Sequence, residues 1–154
     1  MHHPLNHKIQ LIGITAIIVK QLKYNIMTQE KKDLLLKDLS ARLPYGVICE
    51  DEYGNIFELN GIDKPNTVTF KCSDKTFWTT DLDGCKPYLF PMSSMTEWQD
   101  RELEILMKNS IESCGMLYPY DCLEMERFFN ENHIDWRGLI PMGLAIDATN
   151  LNIY

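Results

Sequence analysis

The chain has 154 residues, of which 45% are hydrophobic and 24% are charged, and its formal net charge is −7 at pH 7. A chain of this length and composition folds as one domain with a core that needs no disulfide or metal staple. The composition therefore excludes a disordered chain, and the acidic balance disfavours direct contact with phosphate backbones.

The first 26 residues differ from the rest of the chain. They hold three lysines and no acid, so residues 27–154 carry 12 basic and 22 acidic side chains, which leaves a formal net charge of −10. The apolar run at residues 9–19 is too short to span a bilayer, and lysines follow where a signal peptide would have small residues for cleavage. We hypothesise that Met27 is the native initiator, that residues 1–26 are a non-native or disordered extension, and that residues 27–154 form a single domain.

A helix is predicted to begin after Thr28, whose hydroxyl can cap its first turn. Leucines recur on one helical face, and Pro44 ends the pattern. The leucines of this face are Leu35, Leu36, Leu39 and Leu43.

Four short strand-like runs follow, at residues 45–50, 55–60, 67–72 and 76–82. The first two flank the turn signal D-E-Y-G-N, and the third alternates apolar and polar side chains. Connections this short predict an antiparallel meander with one face on the core.

The stretch K-P-Y-L-F-P-M-S-S-M-T-E-W-Q, at residues 86–99, joins this β-rich half to a helical half. Its two prolines predict an extended segment at residues 86–92, pinned to the core by some of its large apolar side chains. A capping box then begins a helix, either Ser94 with Glu97 or Thr96 with Gln99. The sequence does not choose between the two registers.

Two or three helices are predicted in the C-terminal half. The first buries side chains spaced from Leu103 to Cys114, and the second begins near Asp121 with Glu124 as its capping partner. The second helix is expected to bury four side chains, those of Cys122, Met125, Phe128 and Phe129. The predicted fold class is α+β: an N-terminal helix, a four-stranded antiparallel meander and two to three C-terminal helices.

Three segments of the chain carry a resemblance: L-K-D-L-S-A-R-L-P-Y-G-V at residues 36–47, K-P-Y-L-F-P-M-S-S-M-T-E at 86–97, and N-H-I-D-W-R-G-L-I-P-M-G-L-A-I-D at 132–147. In this order they resemble an uncharacterised family of small proteins from gut anaerobic bacteria and their phages or mobile elements. The resemblance covers residues 27–154. It implies a mobile-element setting and transfers no site residue.

Catalytic chemistry has few candidates in this sequence. His133 and Asp135 would share one side of an extended segment, where a carboxylate could orient an imidazole as a general base. A surface histidine at a helix C-terminus is the simpler interpretation, because no nucleophile or oxyanion motif lies near. The five cysteines form no C-x-x-C pair, and no metal site or cofactor is predicted.

The favoured function is a non-enzymatic, protein-binding accessory factor of a phage or mobile element, located in the cytoplasm. We expect it to dock on a host or phage protein through an aromatic patch with an acidic rim. The alternative for these aromatic side chains is that they pack in the core. The patch comprises Tyr88, Phe90, Trp98 and Tyr120. The alternatives are a small hydrolase that uses His133 as its base, and an acidic mimic of nucleic acid built on clusters such as Glu50, Asp51 and Glu52. Neither direct nucleic-acid binding nor a membrane contact is expected.

Overall fold

Along the described chain a helix precedes five strands, and two further helices and a short sixth strand follow them. A computed structural model describes residues 27–64, 66–71, 76–112 and 119–154, and for residues 109–112 and 119–121 it describes the backbone alone. The hypotheses on residues 1–26, on Cys114 and on the side chain of Tyr120 lie outside the described residues. The elements are α1 (Gln29–Arg42), β1 (Ile48–Glu50), β2 (Ile56–Lys64), β3 (Thr67–Lys71), β4 (Phe77–Asp81), β5 (Lys86–Leu89), α2 (Glu97–Glu112), α3 (Pro119–Glu131) and β6 (Ile146–Asp147).

The strands form one six-stranded sheet with the order β4-β3-β2-β1-β5-β6. Strands β1 to β4 pair in sequence as an antiparallel meander, β5 lies antiparallel to β1, and β6 lies parallel to β5. The α+β class predicted from the sequence is confirmed. The limit of four strands is wrong, because β5 pairs antiparallel with β1 and β6 then adds a parallel strand, which makes the sheet mixed.

Helix α1 forms where its cap and leucines predicted it. The backbone N–H of Lys31 donates to the Thr28 hydroxyl at 3.4 Å. Leu35 and Leu39 are fully buried and belong to the core cluster that also contains Cys49, Leu59 and other sheet residues. Past Arg42 the chain tightens into a 3-10 turn at Leu43–Tyr45, and Gly46, at φ 70°, reverses it into the sheet.

The structure selects one of the two capping registers for α2. The Thr96 N–H donates to the Gln99 side-chain oxygen at 2.9 Å, and the Gln99 N–H donates to the Thr96 hydroxyl at 3.2 Å. These two bonds form a capping box. Ser94 lies in the preceding 3-10 turn and donates to the Pro91 carbonyl at 2.8 Å.

Helix α3 packs through Phe128, which is buried, and through the half-buried Met125 and Phe129. The prediction that Cys122 is buried is wrong, since its side chain is exposed. Six residues separate Cys122 from Phe128, which turns the two side chains about 120° apart around the helix. No helix among the described residues is long and apolar enough to cross a membrane.

Candidate functional site

The aromatic residues predicted to form a docking patch lie in different environments. Tyr88 is 4% exposed, and its hydroxyl donates to the Glu50 carboxylate. Burial, together with this hydrogen bond, raises the pKa of Tyr88 to about 12. Phe90 is half-buried, 5.9 Å from the ring of Tyr154 between centroids. Trp98 is 64% exposed in the first turn of α2. The first two therefore serve the sheet and its packing, and Trp98 alone of the three described is largely open to solvent.

His133 lies at the turn that follows α3 and is 8% exposed. Its backbone is left-handed, at φ 53°, and its ring stacks on Tyr154 with 3.9 Å between centroids. Its Nδ1 is buried without a hydrogen-bond partner in the described structure. Burial, together with the positive charge of Arg42, lowers the pKa of His133 to about 4, so the imidazole is neutral at pH 7.

Asp135 is buried beside His133 but binds other groups. Its two carboxylate oxygens accept the N–H groups of Leu139 at 2.7 Å and Ile140 at 2.8 Å. These bonds cap the turns of residues 136–145, where buried amide groups would otherwise lack acceptors. His133 and Asp135, the residues of the predicted hydrolase site, therefore make structural contacts in the fold. The hydrolase alternative stays an untested prediction.

Arg137, two residues after Asp135, belongs to a buried cluster of charged groups that the sequence analysis did not predict. Arg42 and Arg137 both donate to the carboxylate of Asp38, at 2.7 Å and 2.9 Å. Arg42 also donates to the carbonyls of Phe129 and Ile134, and Arg137 also binds the Glu126 carboxylate. The cluster ties α1, α3 and the loop after α3 together.

Burial of Arg42 also bears on the remaining alternatives. Because its side chain is inaccessible, it cannot contribute to a basic surface that binds nucleic acid. Within the acidic run, Asp51 accepts the N–H groups of Tyr53 and Asn55, at 2.8 and 2.9 Å, and Glu50 accepts the Tyr88 hydroxyl. These carboxylates stabilise local structure. No group of three or more His, Cys, Asp or Glu side chains in the described ranges could hold a metal ion.

An exposed aromatic surface lies on the part of the sheet formed by β2, β3 and β4. Leu59, Phe70 and Trp78 are direct neighbours across β2, β3 and β4, so their side chains share one face. Along this row Leu59 is buried, Phe70 is half-buried and Trp78 is 61% exposed. Phe57 stacks on Phe70 with 3.9 Å between ring centroids. An aromatic row thus runs from the core out into solvent.

A groove of about 800 Å³ opens along this row, and we call it the outer groove. Its polar side chains include two acids and one base. It is lined by Asp51, Tyr53, Asn55, Ile56, Phe57, Glu58, Phe70, Lys71, Trp78, Thr79 and Thr80.

The sequence analysis missed this surface, although a signal for it is present. Phe77 and Trp78 are adjacent in a strand, so their side chains point to opposite faces of the sheet. Both are largely exposed, at 60% and 61%. If the core covers only one face of the sheet, two adjacent aromatic residues in a strand cannot both pack on it, so at least one ring lies on the opposite face.

No protein-family model, no curated protein and no solved structure matches this chain. Functional inference therefore rests on the residues and their arrangement.

Proposed function

We propose that this chain is a non-enzymatic accessory factor that binds another protein through the outer groove. The observation that carries the proposal is the exposure of Trp78 at the end of the row formed with Leu59 and Phe70. Large exposed aromatic side chains beside a half-buried apolar surface are typical of binding hot spots.

The proposal moves the docking surface from the predicted patch to the outer groove. Tyr88 is buried and Phe90 is half-buried, so neither offers much area to a partner. In the outer groove, by contrast, Tyr53 and Ile56 add exposed apolar area to that of Trp78. A setting in a phage or mobile element is part of the proposal and is supported by the resemblance of the three sequence motifs.

An interacting protein with a basic surface is favoured by charge. The chain has a formal net charge of −7, and Asp51 and Glu58 in the outer groove outnumber Lys71. Opposite charge on a partner raises the association rate and disfavours acidic competitors.

The proposal is tested by capture of partners from the native cell with the tagged full chain and two single variants. Trp78→Ala should reduce capture of a stoichiometric protein about 30-fold or more, the loss expected of a hot-spot residue. Trp98→Ala is the matched control, since Trp98 is as exposed as Trp78 but lies on α2. Equal capture by wild type and Trp78→Ala, or no stoichiometric protein at all, would contradict the proposal.

A further inference from the structure

The hydrogen-bond register between β3 and β4 determines which backbone N–H and C=O groups of β4 point out of the sheet. Leu82 donates its N–H to the Asn66 carbonyl at 2.9 Å, in the same register as the β3–β4 pairs. Bonded and non-bonded pairs alternate along an antiparallel ladder. The N–H and C=O groups of Trp78 and Thr80 therefore face β3. Those of Phe77, Thr79 and Asp81 point away from it.

Strand β4 is the last strand of the sheet on this side in the described part of the chain. Proteins protect such edges with lysine, proline or a bulge. The sequence of β4 is F-W-T-T-D, and its five pairs with β3 continue without a shift in register. Aromatic and β-branched residues in a regular ladder favour pairing with a further strand.

The side chains of β4 present two different surfaces to such a strand. Trp78 and Thr80 lie on the face of the aromatic row, whereas Phe77, Thr79 and Asp81 alternate with them and lie on the other face. Thr79 also contributes to the lining of the outer groove. An added strand would place every second side chain over the aromatic row. Its remaining side chains would lie beside Phe77 and the exposed carboxylate of Asp81. Lys71 lies on the same face, one strand further in on β3, opposite Phe77 and not opposite Asp81.

We propose that β4 binds an extended partner segment by strand addition, and that this segment alternates apolar and basic side chains. The inference rests on the proposed function and specifies its mode. Its apolar side chains cover the Trp78 face and its basic side chains lie on the face of Asp81, in keeping with the chain's formal net charge of −7. The same net charge opposes a second copy of the chain as the occupant. Backbone hydrogen bonds supply the docking register and side chains supply selectivity.

The test uses a labelled synthetic peptide of alternating lysine and valine, with binding to the full chain followed by fluorescence anisotropy. A glutamate and valine peptide is the charge control. Thr79→Pro removes one outward N–H but no bond to β3, and Thr79→Val keeps that N–H. We expect Thr79→Pro to weaken binding of the lysine peptide at least tenfold, and Thr79→Val to change it less than twofold. Failure of the lysine peptide to bind, equal binding by Thr79→Pro, or preference for the glutamate peptide would overturn the inference.

Amide hydrogen exchange provides a measurement on the wild-type chain that does not depend on how a proline variant folds. In the free chain, the amides of Trp78 and Thr80 should exchange more slowly than those of Phe77, Thr79 and Asp81. The lysine peptide should slow exchange at these last three positions. Exchange at them that is unchanged at saturating peptide would overturn the inference.

The same variants separate this inference from the proposed function. Native capture that depends on Trp78 but is unchanged by Thr79→Pro would leave the proposed function standing and overturn strand addition. Capture that is insensitive to Trp78→Ala would overturn both. A dimer in sedimentation that Thr79→Pro dissolves would identify a second copy as the occupant, and would overturn the basic segment.

Discussion

Arg137, in the loop after α3, donates to the carboxylate of Asp38 on α1, with 2.9 Å between Nη1 and Oδ1. The same carboxylate binds Arg42 at 2.7 Å, and Asp38 and Arg42 are fully buried. Two guanidinium groups therefore share the Asp38 carboxylate, and Glu126 supplies the second negative charge, to Arg137. Removal of a single member leaves an uncompensated buried charge, which is more costly than the loss of a surface pair.

Asp38→Ala should destabilise the fold by about 3–5 kcal/mol in the free energy of unfolding, because both guanidinium groups lose their shared acceptor. Urea denaturation checks this value. Arg101→Ala is the control, since its pair with Glu97 is 3.8 Å long and exposed, and its removal should change the free energy by less than about 0.5 kcal/mol. Equal effects of the two substitutions would contradict the structural role given to the buried cluster.

Stability should depend on the protonation of His133. Its pKa is lowered from 6.5 to about 4 in the folded chain, so below pH 6.5 the unfolded state binds the proton more readily. The stabilising contribution is complete above pH 6.5 and is lost as the pH falls toward 4, by about 3 kcal/mol in all.

Denaturation of the wild type and of His133→Asn at several pH values measures this contribution. Asparagine tolerates the left-handed backbone at this position, so the substitution removes the titrating group without a new backbone conflict. The difference in unfolding free energy between the two chains should shrink from pH 7 to pH 4. A difference that is constant over this range would show that His133 titrates alike in both states.

The Thr96 capping box should contribute to the stability of α2. Thr96→Ala removes the acceptor of the Gln99 N–H, at 3.2 Å, and should cost about 1 kcal/mol in thermal or chemical unfolding. Ser93→Ala, in the exposed turn before the helix, should cost much less. The reverse order of these two effects would place the helix start in a different register.

The thiols of Cys122, Cys49 and Cys85 should differ in their reactivity toward alkylating reagents. Cys122 is exposed, whereas Cys49 and Cys85 are fully buried, and burial raises the pKa of the Cys49 thiol well above its usual value. Brief treatment of the native chain with iodoacetamide should alkylate Cys122 and leave Cys49 and Cys85 unmodified, because the thiolate is the reactive form. Peptide mass spectrometry reads each site. Rapid alkylation of Cys49 without unfolding would contradict its burial beneath α1.

Local signals predicted the α+β class correctly, but not the six-stranded mixed sheet. These signals act over a few residues and can therefore be read directly from the sequence. They are the cap at Thr28, the leucine spacing and the turn before Asn55. The pairing of β5 with β1 joins residues that are far apart in the chain, such as Glu50 and Lys86, which are separated by 86 − 50 = 36 positions, and no local pattern reports it.

The candidate site was predictable only in part. Sequence reasoning assigned Asp135 as an orienter of His133 because alternate residues share a side of an extended segment. In the structure these residues follow a left-handed turn at His133, and the Asp135 carboxylate binds the amides of Leu139 and Ile140 instead. The adjacent Phe77 and Trp78 indicate that one of the two rings leaves the core face, but the exposure of Trp78 as well depends on where the core ends beneath the sheet.

The central claim is that the outer groove and β4 are the docking surface. Its most direct test is photocrosslinking in the native cell, with benzoylphenylalanine in place of Phe77 in one chain and in place of Ile105, an exposed residue of α2, in another. The account predicts a specific protein adduct at position 77 that is lost with Trp78→Ala, and little or none at position 105. An adduct at position 105 with none at 77 would contradict it.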